Sequence, residues 1–329
     1  MPEQSVVTVL RVPPESAGQR VDVFVQSQLR RTSRTRAHGI SKASAYDPVG
    51  RRLRPGSRVR AEQHILLWRA PWDETPVPTD VPVLWEDEHM LVVDKPANLP
   101  VHPTARYYRN TLIKVLQAER PDQWLSLGHR LDRETSGVLV LSKTSACDRA
   151  LKRMLEAREG IEKTYEAITW GVPRPLPEDR DVTHNDGERF RVDLPLELDP
   201  HAPSRVKMRT SPTGVEAGTR FIVLGVSPSG RYARVRCELE TGRQHQIRVH
   251  LAALGTPVVG DKLYGPDEEL FAKNADHAME SADWERLELP RHALHAARLE
   301  LPHPITGSPL VFVAPLPADL ALFWELRAT

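Results

Sequence analysis

Between Arg231 and Glu240 the chain reads RYARVRCELE, where Ala233, Val235, Cys237 and Leu239 alternate with Arg234, Arg236, Glu238 and Glu240. A period of two sends successive side chains to opposite faces of an extended chain, so this segment is a strand with one buried face. Further strand-like runs stand at VLWEDEHMLVVDKP (Val83–Pro96), GVLVLSK, TYEAITWG and FIVLGV, with a helical pattern at CDRALKRMLEA (Cys147–Ala157). Many strands with few helices between them predict a mixed, largely antiparallel sheet and an α+β fold class.

The chain ahead of this region has a different character. From Gly18 to Trp68 there are 11 Lys and Arg against 3 Asp and Glu, although the whole chain carries a net charge of only +1. A basic module beside an acidic body points to a polyanionic partner, the alternative being a solvated basic face with no partner. Within it VDVFVQSQL (Val21–Leu29) reads as a short amphipathic helix and HILLW as a strand. The expected plan is an N-terminal tail over 1–17, a small α/β module over 18–69 and a Pro-rich linker over 70–84. A large domain over 85–329 follows, with an acidic surface insertion at 266–290 that holds eight acids and two bases. No run of about 18 apolar residues exists, so no membrane partner is expected. The start lacks the pattern of a signal peptide, and two cysteines cannot build a disulfide framework. A cytoplasmic protein and a monomer are the expectation.

Three stretches could carry chemistry. In GHRLDRETSG, Asp132 lies between Arg130 and Arg133, and neighbouring positive charge favours an ionised carboxylate. Such a group suits a nucleophile or base, the alternative being an Asp–Arg pair that pins a loop. In ETGRQHQIRVHLAALGTPVVGD (Glu240–Asp261), Arg243, His245, Gln246, Arg248 and His250 precede and enter a helical spacing at Ile247, Leu251 and Leu254. That density fits an anion site, or a core histidine or two. In EKTYEAITWG, Lys163 and Tyr165 share one face of a strand, able to meet phosphate and base or merely to pack. His245 and His250 are five apart, and His292 and His295, at a helical i, i+3 spacing, have no evident third ligand, so no metal is expected. No P-loop, GxGxxG, GxSxG or zinc-deaminase signature is present, so no cofactor is expected either.

Together GHRLDRETSGVLVLSKT, DKPANLPVHP, KTYEAITWG, GRQHQIRVHLAALGTPVVGDKLYG and LHAARLELPHPITG resemble the ordered motif set of the RluA-type pseudouridine synthases, over about Trp85 to Gly307. GQRVD (Gly18–Asp22), SRTR (Ser33–Arg36) and RPGSRV (Arg54–Val59) resemble a degenerate S4 RNA-binding domain, with Gly39 where a helix former is usual. Asn98 stands where the family has Gly, and Gln244 where it has Thr.

The resemblance implies an RNA-modifying isomerase. Asp132 then aligns with the catalytic aspartate, Arg248 with the arginine that pairs with it, and Tyr165 with the tyrosine that stacks on the target base. Arg130 aligns with the residue that fills the space of the extruded nucleotide. Lys163, Arg243 and His245, with Arg30, Arg31, Arg34, Arg36, Arg51, Arg52 and Arg54 of the basic module, are expected to meet structured RNA, ribosomal rather than transfer RNA. The alternatives are the same chemistry on transfer RNA, a non-catalytic ribosome-assembly protein, or a nucleoside hydrolase. The last needs a second carboxylate, for which only Glu134 is near, and Glu134 is expected to face solvent.

Overall fold

The computed structural model describes residues 6–29, 32–69, 73–104, 106–158, 160–175, 189–204 and 206–328. Two compact units result, Met1–Glu74 and Thr75–Thr329.

In the first unit, strands β1 (Val6–Arg11), β2 (Ala45–Tyr46) and β3 (His64–Arg69) form an antiparallel sheet in the order β1-β3-β2. Helices α1 (Val21–Gln28) and α2 (Arg34–Ser44) complete it around Val12, Val21, Phe24, Val25, Ile65 and Leu67. Asp22 sits at the positive end of α1 and takes two bonds from Arg20, at 2.9 and 2.8 Å, and one from His38 at 2.9 Å. Ser33 caps α2 by accepting from the Arg36 amide. The N-terminal segment departs from the expected tail. Val6–Arg11 pair with β3 at all six positions, yet only Val6 is fully buried, so the run shows no clean alternation by which to recognise it.

The second unit begins with β4 (Val83–Glu86), β5 (Met90–Lys95), α3 (Leu112–Glu119), β6 (Ser126–Leu127), β7 (Ser136–Ser142) and α4 (Ser145–Ala157). It continues through β8 (Glu162–Trp170), β9 (Arg189–Asp193), β10 (Leu196–Leu198), β11 (Met208–Thr210), β12 (Gly218–Val226), β13 (Tyr232–Leu239) and α5 (Gln246–Ala253). It ends with α6 (Glu269–Ala275), α7 (Ser281–Leu287), β14 (Leu294–Pro302), β15 (Pro309–Val313) and α8 (Ala318–Ala328). One large sheet runs β4-β5-β7-β14-β8-β13-β12-β9, with β15 on β14 and β6 on β7. Among the described residues every pairing in it is antiparallel except β7 with β14. This is the mixed, largely antiparallel sheet that the alternating pattern predicts, and β13 buries Ala233, Val235 and Cys237 as its period of two requires.

The centre of the sheet is covered on both faces. Leu91, Val93, Leu139 and Leu141 point to one core with Leu112 and Leu116 of α3 and Leu320 and Phe323 of α8. Met90, Val92, Val138 and Val140 point to the other, with Cys147 and Leu151 of α4. Three details differ from the sequence reading. Val81, inside the proline-rich stretch, is buried in the first of these cores. The acidic segment is folded, since α6 and α7 bury Leu270 and Leu287, and Lys273 bridges them to Asp283 at 3.1 Å. His295 lies on strand β14 and His292 just before it, so their three-residue spacing is not helical.

The parallel junction of β7 and β14 depends on one glycine. Gly137 has φ +113°, and a Cβ there would stand 2.2 Å from the Ala296 carbonyl oxygen. Only a residue without a side chain lets β14 pass this close. The Gly137→Ala protein is expected to lose at least about 3 kcal/mol of stability. Urea denaturation measures this, and an unchanged midpoint would contradict the close approach.

Candidate active site

The junction of β7 and β14 fixes the loop over residues 128–135. Thr135 meets His292 Nε2 at 2.8 Å, and Ser136 meets His295 Nδ1 at 3.0 Å. On the other side Lys95, wholly buried at the end of β5, donates to the carbonyls of Pro96 (2.8 Å), Leu99 (3.0 Å) and Arg133 (3.2 Å). Burial, only partly countered by the charge of Asp132, brings its amine down to about 7. Asn98, in the turn that follows, has φ +64°, a left-handed conformation that Gly or Asn adopts most readily.

Asp132 sits at the turn of this loop with its side chain 20% exposed. Arg248 of α5 donates from Nη1 to Asp132 Oδ2 at 2.8 Å. The same buried guanidinium reaches Asp261 with Nε at 2.6 Å and Nη2 at 2.8 Å. Asp261 is held in turn by the amides of Leu263 (2.9 Å) and Tyr264 (3.1 Å). One fixed cation therefore joins two carboxylates, one fully buried and one partly exposed.

The charges follow from that geometry. Burial works to raise the Asp132 carboxyl, but His245, Arg248 and His292 outweigh it and hold the group at about 2. His245 and His292, lowered chiefly by burial to about 4 and about 3, are neutral at pH 7, where Arg248 is the persistent cation. Asp261 is held well below the carboxylate range against its burial, and Arg248 is raised by both partners against its own. Asp132 is thus an ionised, oriented carboxylate, suited to act as a nucleophile or base and unsuited to give up a proton.

Around this centre His245 Nδ1 lies 2.8 Å from the Tyr264 hydroxyl, and its Nε2 lies 3.8 Å from Asp132 Oδ1. Tyr165 is buried on β8, its phenol raised by burial and then by the charge of Asp132, so it is neutral. Lys163, two residues before it, is lowered by burial to about 8. Arg130 is exposed, and its charge reaches both His102 and His245. Arg243 donates from Nε to the Glu216 carbonyl at 3.0 Å. Gln246 and His250 are buried and saturated, Gln246 by Thr241, Thr219 and the backbone of Arg243 and Gly218, His250 by Thr219 and the Leu194 carbonyl. Gln244 donates to the Val206 carbonyl at 3.3 Å.

A residue-by-residue family profile described as RNA pseudouridylate synthase matches residues 89–253, half of the chain and the whole run from the Lys95 strand through Arg248. The chain belongs to that family. A Pseudomonas aeruginosa protein named ribosomal large subunit pseudouridine synthase D is 34% identical over 94% of this chain and 92% of its own length. An uncharacterized RNA pseudouridine synthase of Chloroflexus aurantiacus is 34% identical over 95% of this chain and 92% of its own length. The solved structure of human RNA pseudouridylate synthase domain containing 4 superposes with a TM-score of 0.56. It covers 75% of this chain and 92% of that one at 28% identity. This protein is therefore an RNA-modifying isomerase.

In this synthase the folding of the chain brings Asp132, Arg248 and His245 into one cluster beside Tyr165. Arg34, Arg36, Arg51, Arg52 and Arg54 are exposed on the N-terminal unit, while Arg30 and Arg31 lie outside the described residues. Glu134 does not face solvent. It is buried against Lys262 at 3.0 and 3.1 Å, Arg133 at 2.9 Å and the His292 amide at 3.1 Å, because an acid beside three donors is more stable inside the loop than a bare Lys262 would be. Sequence reasoning passed over Asp261 and Tyr264. The signal was the GDKLYG run, where Gly260, at φ +77°, has no room for a side chain: a Cβ there would stand 2.0 Å from the Arg291 carbonyl oxygen. Among the described residues no helix is long and apolar enough to cross a membrane, and no group of three or more His, Cys, Asp or Glu is placed to hold a metal ion.

Burial holds His129 and His292 at about 3 and His245 and His250 at about 4. Unfolded, each imidazole takes a proton near 6.5, so below that pH the unfolded chain binds more protons and stability falls with pH. Asp132 and Glu134, both held at about 2, add a second loss as pH drops from about 4 toward 2. The urea-unfolding free energy is expected to fall by at least about 2 kcal/mol between pH 7.5 and pH 5, the linkage of one such histidine. A value that rises on acidification would contradict this placement.

Proposed function

We propose that this synthase converts specific uridines of a structured RNA to pseudouridine, that its substrate is large-subunit ribosomal RNA, and that Asp132 is its catalytic carboxylate. The observation that carries the reading is the single Arg248 guanidinium shared between buried Asp261 and partly exposed Asp132. It leaves a carboxylate that stays ionised and keeps its orientation when RNA displaces water from the site.

The reaction is an isomerisation. The C1′–N1 bond breaks, the base turns, a C1′–C5 bond forms, the C5 proton leaves and N1 gains one. Electrons balance without an oxidant, reductant or nucleotide, so no cofactor is required. Asp132 starts the exchange, either by attack on the nucleoside or by assisting glycosidic cleavage. Tyr165, neutral and buried, stacks on the target base and helps move the C5 proton. A stacked uridine is out of reach, so the nucleotide is extruded and Arg130 takes its place in the stack. Lys163, Arg243 and His245 meet the RNA near the site. Arg30, Arg31, Arg34, Arg36, Arg51, Arg52 and Arg54 grip phosphates from the basic, S4-like module. The preference for ribosomal RNA is supported by relatives named large subunit synthases. The protein works as a monomer in the cytoplasm.

Tritium release from large-subunit RNA transcript labelled at uridine C5 tests this. Wild type is expected to release tritium and leave pseudouridine, and Asp132→Ala to fall by at least about 1000-fold, the scale of a lost acid–base or nucleophilic group. Release from transfer RNA alone would overturn the substrate, and an active Asp132→Ala would overturn the aspartate. In a separate binding titration, replacing Arg34, Arg36 and Arg54 by Ala should lower affinity for all RNAs alike. The salt slope should drop by roughly 0.7–0.9 for each phosphate that the variant no longer neutralises. An unchanged slope would remove these residues from the interface.

A further inference from the structure

His245 is the non-glycine residue that opens α5 in a left-handed conformation, with φ 58° and ψ 15°. That backbone is costly for an imidazole-bearing residue and persists where the surroundings impose it. The buried Gln246 side chain imposes it here, accepting from the Arg243 amide at 3.0 Å and from Thr241 at 2.6 Å. The result brings the ring to Oδ1 of Asp132, the carboxylate oxygen that Arg248 leaves free.

The hydrogen bonds of the ring assign its proton. The Tyr264 hydroxyl accepts from the Met208 amide at 2.8 Å and stands 2.8 Å from His245 Nδ1. Among the described residues that nitrogen is the acceptor within reach of the phenol, whose buried O–H would otherwise go unsatisfied. Nδ1 is therefore an acceptor, and the proton sits on Nε2, facing Asp132 Oδ1 across 3.8 Å. That gap is too long for a direct hydrogen bond, yet one oxygen about 2.8 Å from each atom spans it. Such an oxygen must accept from Nε2–H and donate to a carboxylate at once. Of the oxygens that an RNA brings to the site, a base carbonyl or a phosphate cannot donate, whereas a ribose hydroxyl does both. If Asp132 acts at C1′, the nearest hydroxyl is the one on C2′.

We infer that Tyr264 is a positioning residue that fixes the Nε2–H form of His245, and that His245 and Asp132 together hold the 2′-hydroxyl of the target nucleotide. The inference rests on the function proposed above, and makes this pair the place where the synthase tells ribose from deoxyribose. The groups that face the imidazole are Asp132 and Arg130 from the loop, Arg248 from α5, and Asp261 and Tyr264 from the segment after it. Burial and Arg248 together keep the ring neutral at pH 7, so it acts as a dipole rather than as a charge.

The test uses the full-length protein and a synthetic stem-loop RNA spanning the mapped site, with uridine or 2′-deoxyuridine at the target. Fluorescence anisotropy gives Kd for wild type, His245→Ala and Tyr264→Phe. Wild type is expected to bind the deoxy RNA about tenfold more weakly, the scale of one lost hydrogen bond to a charged partner. His245→Ala is expected to narrow the difference between the two RNAs, with Tyr264→Phe between it and wild type. A deoxy penalty undiminished in His245→Ala overturns the contact, because a merely structural role would weaken both RNAs equally. Independently of any variant's folding, ¹⁵N imidazole shifts of histidine-labelled wild type report the proton, with Nε2–H expected for His245 and Nδ1–H overturning the role of Tyr264. Tritium release from the uridine stem-loop by wild type is the separate control: its absence counts against the proposed function, while the ring tautomer still decides the Tyr264 assignment.

Discussion

The site rests on a buried guanidinium that must be neutralised. Taking a cation out of water costs several kcal/mol, and the cost is recovered only when each N–H meets a well-placed anion. Arg248 meets Asp261 through two parallel bonds and Asp132 through a third. Asp261 is itself held by two backbone amides, so the chain of constraint starts from the backbone and ends at Asp132. The arrangement gives a carboxylate whose charge and direction do not depend on substrate.

A second set of buried charges holds the loop that carries it. Glu134 accepts from Lys262 and Arg133, and Lys262 also donates to the Pro290 carbonyl at 2.7 Å. Arg291, nearly inaccessible, pairs with Asp319 of α8 at 2.6 and 2.9 Å and reaches the Glu134 carbonyl at 3.3 Å. Lys95 adds its three carbonyl contacts from β5. Strand β5, Lys262 and the segment before β14, the last braced by α8, thus grip the eight residues between β6 and β7. Positioning to a fraction of an ångström is what a reaction at one carbon requires.

Much of the fold class was legible because strand period is a local property. Ala233, Val235 and Cys237 could be placed on a buried face from their spacing alone, and the loop chemistry of GHRLDRETSG from its charges. Strand β1 was not legible, since a small sheet leaves most of its side chains exposed. Nor was the inward turn of Glu134, whose partner Lys262 lies 128 residues away. Asp261 and Tyr264 were hidden for the same reason: a carboxylate reads as a surface residue until the arginine that buries it is in place. Gly137 and Gly260 look like ordinary turn residues in sequence. Only the backbone carbonyls that pass within 2.2 and 2.0 Å of their missing Cβ atoms explain them.

Everything at the site turns on whether Arg248 keeps Asp132 ionised in the resting enzyme. The side-chain carboxyl ¹³C shift of Asp132 reads this out by NMR in aspartate-labelled protein, assigned with Asp132→Asn, as pH is lowered from 8 to 4.5. A carboxylate shift with no inflection over that range is the predicted result. An inflection at or above pH 5 would mean that burial prevails over the guanidinium, and that the aspartate is not the fixed anion the reaction needs.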